Sequence, residues 1–310
     1  MHLSTLTRLQ GANRALIEGS VSPAGYTLDF ADEPVLVKGF RKMVRNLEYD
    51  VAEMALTTYL TAREHGAQFT ALPIFLVRDF HHGAVQIRRA DAGLTAADLA
   101  GKRIGVNRGY TVTTGVWARA ALAQAGLDLT SVTWVRSGDE HVATYAPPIN
   151  VVQAPEGRSL EELLLAGELD AVIGASIEHP DVVPLFTDPF RAGLDVLRGT
   201  GVFPLNHLVV VKDSLVAGHP DIAGAIFDAF AEAKRRYLEQ LRADSGEKKG
   251  QDKTLTAVME LTGSDPLPYG IEGSRATLEK LIDNAMTQGI LTKRPEFEDI
   301  FVPSTLDLRG

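Results

Sequence analysis

Two hydrophobic patterns alternate along this chain. Short, nearly continuous apolar runs, such as Val51-Ala52-Glu53-Met54-Ala55-Leu56, suit strands buried on both faces. Between them lie stretches with apolar residues three and four apart, such as Val37, Phe40, Met43 and Val44, which suit helices. The pattern predicts strands over His2–Leu6 and Tyr26–Phe30, and helices over Asn13–Glu18 and Pro34–Asn46. Strands alternating with helices predict an α/β fold with mostly parallel sheets.

One phrase occurs twice. "LEYDVAEMALTT" and "GELDAVIGAS" each run from a helix end through Glu-x-Asp into a buried apolar run and then small hydroxyl residues. Ser159 with Glu162 three residues on predicts a capping box at the helix before the second copy. "GKRIGV" opens another strand, which runs into the threonine-rich turn "NRGYTVTTGVW". The expectation is two α/β lobes of similar design rather than one long sheet: residues 1–89 with 206–310, and residues 90–205. Ala84–Arg89 and "FPLNHLVVVKD" are the expected crossing strands, and the C-terminal helices are expected on the first lobe. The polar spacer "SGEKKGQDK" is the expected mobile loop. Ligands of open α/β sheets bind beyond the carboxyl ends of the strands. Thr57, Thr58, Tyr110, Thr113 and Thr114 are therefore expected to line an interlobe cleft, where helix N-termini offer unpaired N–H groups to an anion. The alternative for the threonines is simple helix capping.

Composition removes several classes. A formal net charge of −9, with lysine and arginine scattered, gives no nucleic-acid surface. With no cysteine there is no disulfide framework, thiol nucleophile or thiolate metal site. No apolar run has the length of a membrane span, and the N-terminal stretch lacks the form of a secretory signal. A cytoplasmic location is expected, or a periplasmic one if a leader has been removed. No H-E-x-x-H, H-x-H or Walker motif is present, so neither a metal nor a cofactor is expected.

Five stretches, "YDVAEMALTTYL", "GKRIGV" with the following "VWARAAL", "LFTDP", "GVFPLNHLVVVK" and "PYGIEGSRATLEKL", together resemble the 4,5-dihydroxyphthalate decarboxylase family. The resemblance runs from about residue 3 to about residue 306. It implies a type II periplasmic-binding-protein-like fold and the decarboxylation of a hydroxylated aromatic acid. The family's first-helix arginine falls on Arg14. In "FLVRDFHHG", Arg78 and His82 match, while Leu76 replaces a proline and His81 an arginine. Phe203, Pro204 and His207 match a second motif; Pro268, Tyr269, Gly270 and Arg275 match a third, in which Leu267 replaces a tryptophan. Ser176 stands where the family often carries an arginine, which bears on how a second substrate carboxylate is held.

Such a reaction needs an oriented carboxylate, an electron-rich ring and a proton for the ipso carbon. Arginines and helix N-termini orient acids, and histidine is the natural proton donor. His82 and His207 are the candidate catalytic residues. Arg14, Thr57, Thr58, Arg78, Tyr110, Thr113, Thr114 and Tyr269 are the candidate substrate contacts. Adjacent residues on a strand face opposite ways, so only one of His81 and His82 is expected in the site. Arg14 and Arg78 could instead pair with Glu53 or Asp79, and Tyr269 could plug the lobe's edge. The expected partner is a small aromatic or organic anion, with no nucleic acid and no membrane, and self-association is plausible. A second class of protein fits the same features: a solute receptor for a small organic anion that hands it to a transporter without catalysis. A cytoplasmic small-molecule sensor is a third.

Overall fold

The computed structural model describes all 310 residues. In chain order the strands are β1 (His2–Leu6), β2 (Thr27–Phe30), β3 (Val51–Ala55), β4 (Phe69–Arg78), β5 (Val85–Arg88), β6 (Arg103–Val106), β7 (Thr133–Arg136), β8 (Val151–Gln153), β9 (Ala171–Ile173), β10 (Val182–Pro184) and β11 (Leu205–Lys212). They form two sheets, and the chain divides into two compact units, each built on one of them.

The first unit comprises Met1–Asp79, Leu205–Leu278 and Pro295–Gly310. Its sheet has the order β2-β1-β3-β11-β4, with β2, β1 and β3 parallel and β11 antiparallel to both its neighbours. Every residue of β3 is buried, Glu53 included, as its nearly continuous apolar run implies. The long helix Ile222–Ala243 packs against β4 and against the turn Gly11–Asn13. Gly11 lies against the ring of Tyr237, where a Cβ has no room. The chain end is tied in by backbone bonds between Tyr269 and Gly310 in both directions. Gly270, at φ 92°, is the residue type this tight approach needs, because a Cβ would meet the carbonyl oxygen of Leu308.

The second unit comprises Phe80–Pro204 and Glu279–Arg294. Its sheet has the order β10-β5-β9-β6-β7-β8, with β8, β7, β6 and β9 parallel and β5 antiparallel between β9 and β10. Leu160, Leu163, Leu164, Leu169, Val172 and Ile177 form the core on one side. The capping box at Ser159 and Glu162 forms as the sequence predicts.

The repeated phrase has a structural counterpart. β3 and β9 hold the same place in their sheets, each the last parallel strand before the antiparallel one. Asp50 precedes β3 and accepts the backbone N–H of Ser4 in β1; Asp170 precedes β9 and accepts that of Arg103 in β6. The aspartate of Glu-x-Asp thus ties each strand's start to its parallel neighbour.

The observed division differs from the expected one at Leu205, which belongs to the first unit, and in two longer stretches. Residues 80–89 belong to the second unit, because β5 pairs only with β9 and β10. Residues 279–294 belong there too, so the helix Arg275–Thr287 begins in one unit and ends in the other. Four of the nine residues of the spacer expected as a loop are helical, since the helix Gly250–Thr262 begins inside it. No helix is long and apolar enough to cross a membrane.

Candidate active site

β3 carries one charged residue in an apolar run, and that residue organises the first unit. Glu53 is fully buried. On β11, His207 lies opposite Ala55 and Val209 opposite Glu53, so Glu53 and His207 are diagonal neighbours on one face of the sheet. His207 Nδ1 stands 2.6 Å from Glu53 Oε1. The carboxylate also accepts from Thr7 Oγ1 at 2.7 Å, from the backbone N–H of Arg8 and from Gln10 Nε2. Burial alone would raise the pKa of Glu53; the hydrogen bond and charge of His207, aided by Thr7 and Arg8, outweigh it and hold the carboxyl below its usual range. An ionised carboxylate only accepts, so Nδ1 carries the proton and donates it. That leaves Nε2 as the working nitrogen of a ring whose side chain is 17% exposed, with Phe40 edge-on at 5.2 Å between centroids.

β3 passes directly into the helix Leu56–Glu64, whose N-cap is Ala55, the residue opposite His207. The imidazole and the helix N-terminus therefore share one end of the sheet. Thr57 and Thr58 are fully buried, and neither caps the helix, because the N-cap position is Ala55 and lacks a side-chain bond. Thr58 Oγ1 is buried without a hydrogen-bond partner. A buried hydroxyl left unmade costs about 1–3 kcal/mol, a cost that an acceptor seated at this helix start would remove.

The second unit has a parallel arrangement. The helix Thr113–Gln124 begins with Thr113, buried, and Thr114, half-buried; again the N-cap, Val112, supplies no side-chain bond. Its preceding loop is held by Glu140, which accepts from the backbone N–H groups of Tyr110 and Thr111 and from Thr111 Oγ1. Tyr110 is buried beneath Arg119, whose guanidinium lies 3.8 Å from its ring centroid and donates to its carbonyl and to Gln288. Tyr110 is thus a packing residue of the loop and not an exposed contact.

His81 and His82 correct the sequence expectation. β4 stops at Arg78, and the chain turns through a short 3-10 turn, His82–Ala84, rather than continuing as a strand. The alternation argument does not apply, and both histidines line the same cavity in the second unit. His82 stands edge-on to Phe186, and its Nδ1 has no partner. Burial lowers its pKa, so the ring is neutral at pH 7.

The remaining candidates sit in the first unit. Arg14 is an exposed helix residue paired with Glu18 at 3.7 Å, and not with Glu53, whose donors come from elsewhere. Arg78 is buried, donates to Ser274 Oγ and lies over Phe75; burial lowers its pKa, with Asp265 opposing. Tyr269 is buried, with Lys234 4.7 Å from its ring centroid.

No family model matches the chain. Among curated proteins, the 4,5-dihydroxyphthalate decarboxylase of Comamonas testosteroni is 31% identical over 314 residues, covering 95% of this chain and 94% of that one. The chain belongs to the 4,5-dihydroxyphthalate decarboxylase family. The enzyme of that name from Pseudomonas putida is 37% identical over 202 residues, 60% of this chain and 77% of its own. By this membership the chain is a decarboxylase, a carboxy-lyase. The fold of this family member is that of periplasmic binding proteins. The aliphatic sulphonate binding protein SsuA of Escherichia coli superposes with a TM-score of 0.55 at 12% identity, covering 97% of this chain and 92% of that one.

Sequence reasoning did not assign Glu53, Thr7 and Gln10 to the site. The signal was present in Glu53 itself: a lone carboxylate inside a buried strand must be matched by donors. Thr7 and Gln10 carried none, because the turn after β1 has no pattern that points its side chains at β3.

Proposed function

We propose that this decarboxylase acts on a hydroxylated aromatic acid of the 4,5-dihydroxyphthalate type, with His207 as proton donor to the ipso carbon. The observation that supports it best is the pairing of the partly exposed His207 with the buried Glu53 at 2.6 Å. Glu53 fixes the ring through Nδ1 and sets a negative charge against the positive ring formed when both nitrogens are protonated. The substrate carboxylate that remains is held at the start of the helix Leu56–Glu64, where the buried Thr58 hydroxyl has no hydrogen-bond partner.

The step balances without an added oxidant or reductant. The ring hydroxyl para to the departing carboxylate pushes electron density to the ipso carbon, which takes the proton from Nε2. The C–C bond to the carboxylate then breaks, its electron pair restores aromaticity, and CO2 leaves. From 4,5-dihydroxyphthalate the product is 3,4-dihydroxybenzoate. Water returns the proton to His207.

The receptor reading shares the fold with SsuA, but curated relatives over most of the chain are enzymes. CO2 release from a panel of hydroxylated phthalates and benzoates decides between them. Wild type is expected to release CO2 and His207→Ala to lose about two to four orders of magnitude in kcat, the usual worth of a positioned general acid. Binding of these acids with no release from any of them would overturn the enzymatic reading of this chain. Full activity in His207→Ala would remove the assigned proton donor.

A further inference from the structure

One unexplained feature lies wholly in the second unit. A cavity of about 510 Å³ is lined by His81, His82 and Trp117, by one face of the helix Arg275–Thr287, and by Val202 and Pro204. Its volume falls within the range of small-molecule sites, and its walls are mainly apolar. No acidic side chain lines it. Asn284, His82 and Lys280 are among its lining residues. Asn284 Nδ2 is buried and has no hydrogen-bond partner. His82 Nδ1 is likewise without one. Lys280, one helical turn before Asn284 on the same face, brings an ammonium to the rim. A buried amide donor and a buried ring nitrogen, both without partners, cost stability.

We propose that this cavity is a second binding site, for a single-ring aromatic carboxylate. The apolar walls and the indole of Trp117 suit a flat ring. One cation among neutral polar and apolar side chains suits a monoanion rather than a phosphate, which would call for more positive charge. The site shares no residue with Glu53, His207 or the helix Leu56–Glu64. It is built in part from His81, His82, Val202 and Pro204, next to the two points where the chain passes between units, at Asp79/Phe80 and Pro204/Leu205. Pro204 precedes His207 by only three residues along the chain, which gives a bound acid a covalent route to β11. The inference does not depend on the proposed reaction, although a decarboxylated aromatic acid would be a ligand of the right class.

The test is a titration of the full chain with benzoate, followed by calorimetry and by tryptophan emission. Benzoate has no ring hydroxyl to drive decarboxylation, so the readout is binding alone and is separate from CO2 release. Saturable binding with a change in Trp117 emission is expected. His207→Ala should bind as wild type does. Lys280→Glu, an exposed change that leaves the fold intact, should weaken binding about tenfold. Ala120→Trp, which fills the chamber, should abolish it. Loss of binding in His207→Ala with Lys280→Glu unaffected would move the ligand to the first unit and overturn the proposal. Absence of saturable binding at millimolar benzoate would also overturn it, as would a dimer that covers these residues and binds no acid.

Discussion

Glu53 is a carboxylate removed from water and kept ionised by its neighbours, and the chemistry proposed here depends on that state. Burying such a charge costs several kcal/mol unless good donors surround it; His207, Thr7, Arg8 and Gln10 are those donors. Glu53→Gln keeps the shape and an acceptor for Nδ1 but removes the charge. It is expected to lower kcat about ten- to a hundredfold, the usual cost of losing a supporting carboxylate, with a smaller change in KM. The same residue predicts a pH dependence of stability. The folded pKa of Glu53 lies below its unfolded value, so the unfolded chain takes up its proton first as pH falls. The stabilisation is present above about pH 4.5 and is lost as pH drops from there through the lowered folded value. Chemical denaturation of wild type and Glu53→Gln across that range should show a steeper acid loss in wild type. Equal slopes would mean that Glu53 is not ionised in the folded protein.

At the level of elements, strands and helices were legible wherever one physical demand dominated the local pattern. β3, β4 and β11 are buried on both faces and read as apolar runs; Ser159 and Glu162 carry their own cap. The likeness of "LEYDV" to "GELDAV" was legible, but not its cause, the side-chain bonds from Asp50 and Asp170 to neighbouring strands, because those partners are 46 and 67 residues away in sequence. The turn at His81 and His82 was misread for a similar reason. The apolar run of β4 ends at Val77, before Arg78 and Asp79, and the pairing of Leu205 with Arg78 marks the end of the ladder. The sequence marks the start of the helix Leu56–Glu64 as a candidate ligand seat, while the idle hydroxyl that argues for it is visible only in the packing. Thr58 therefore gives a prediction with opposite signs for stability and binding. Thr58→Val removes a buried hydroxyl without a partner while keeping nearly the same shape. The variant is expected to gain up to about 1 kcal/mol in unfolding free energy and to raise KM for the aromatic acid. A drop in stability would show that the hydroxyl has a partner in the resting protein.

Across the whole molecule, neither unit is a continuous piece of chain. The first needs β11 and the C-terminal segment, which are made only after the second unit's 80–204; the second needs 279–294, which follow most of the first. The chain passes between them at Asp79/Phe80, Pro204/Leu205, Leu278/Glu279 and Arg294/Pro295, once within a single helix. Losing either sheet releases the ends that the other sheet holds, so the two should melt together despite the tendency of multidomain proteins to depart from two-state behaviour. The sequence supplies the means to see this, because both tryptophans, Trp117 and Trp134, lie in the second unit. Tryptophan emission reports that unit, while far-ultraviolet circular dichroism reports both. Gly105 in β6 offers a way to destabilise the second unit alone, since a Cβ there would approach Leu169 at 2.8 Å and Leu160 at 2.9 Å. Gly105→Val should cost about 1–3 kcal/mol by overpacking. The expected result is a fall in both midpoints by the same amount. A fluorescence midpoint that falls while the dichroism splits into two steps would show that the first sheet stands without the second, and that the four passages do not couple them.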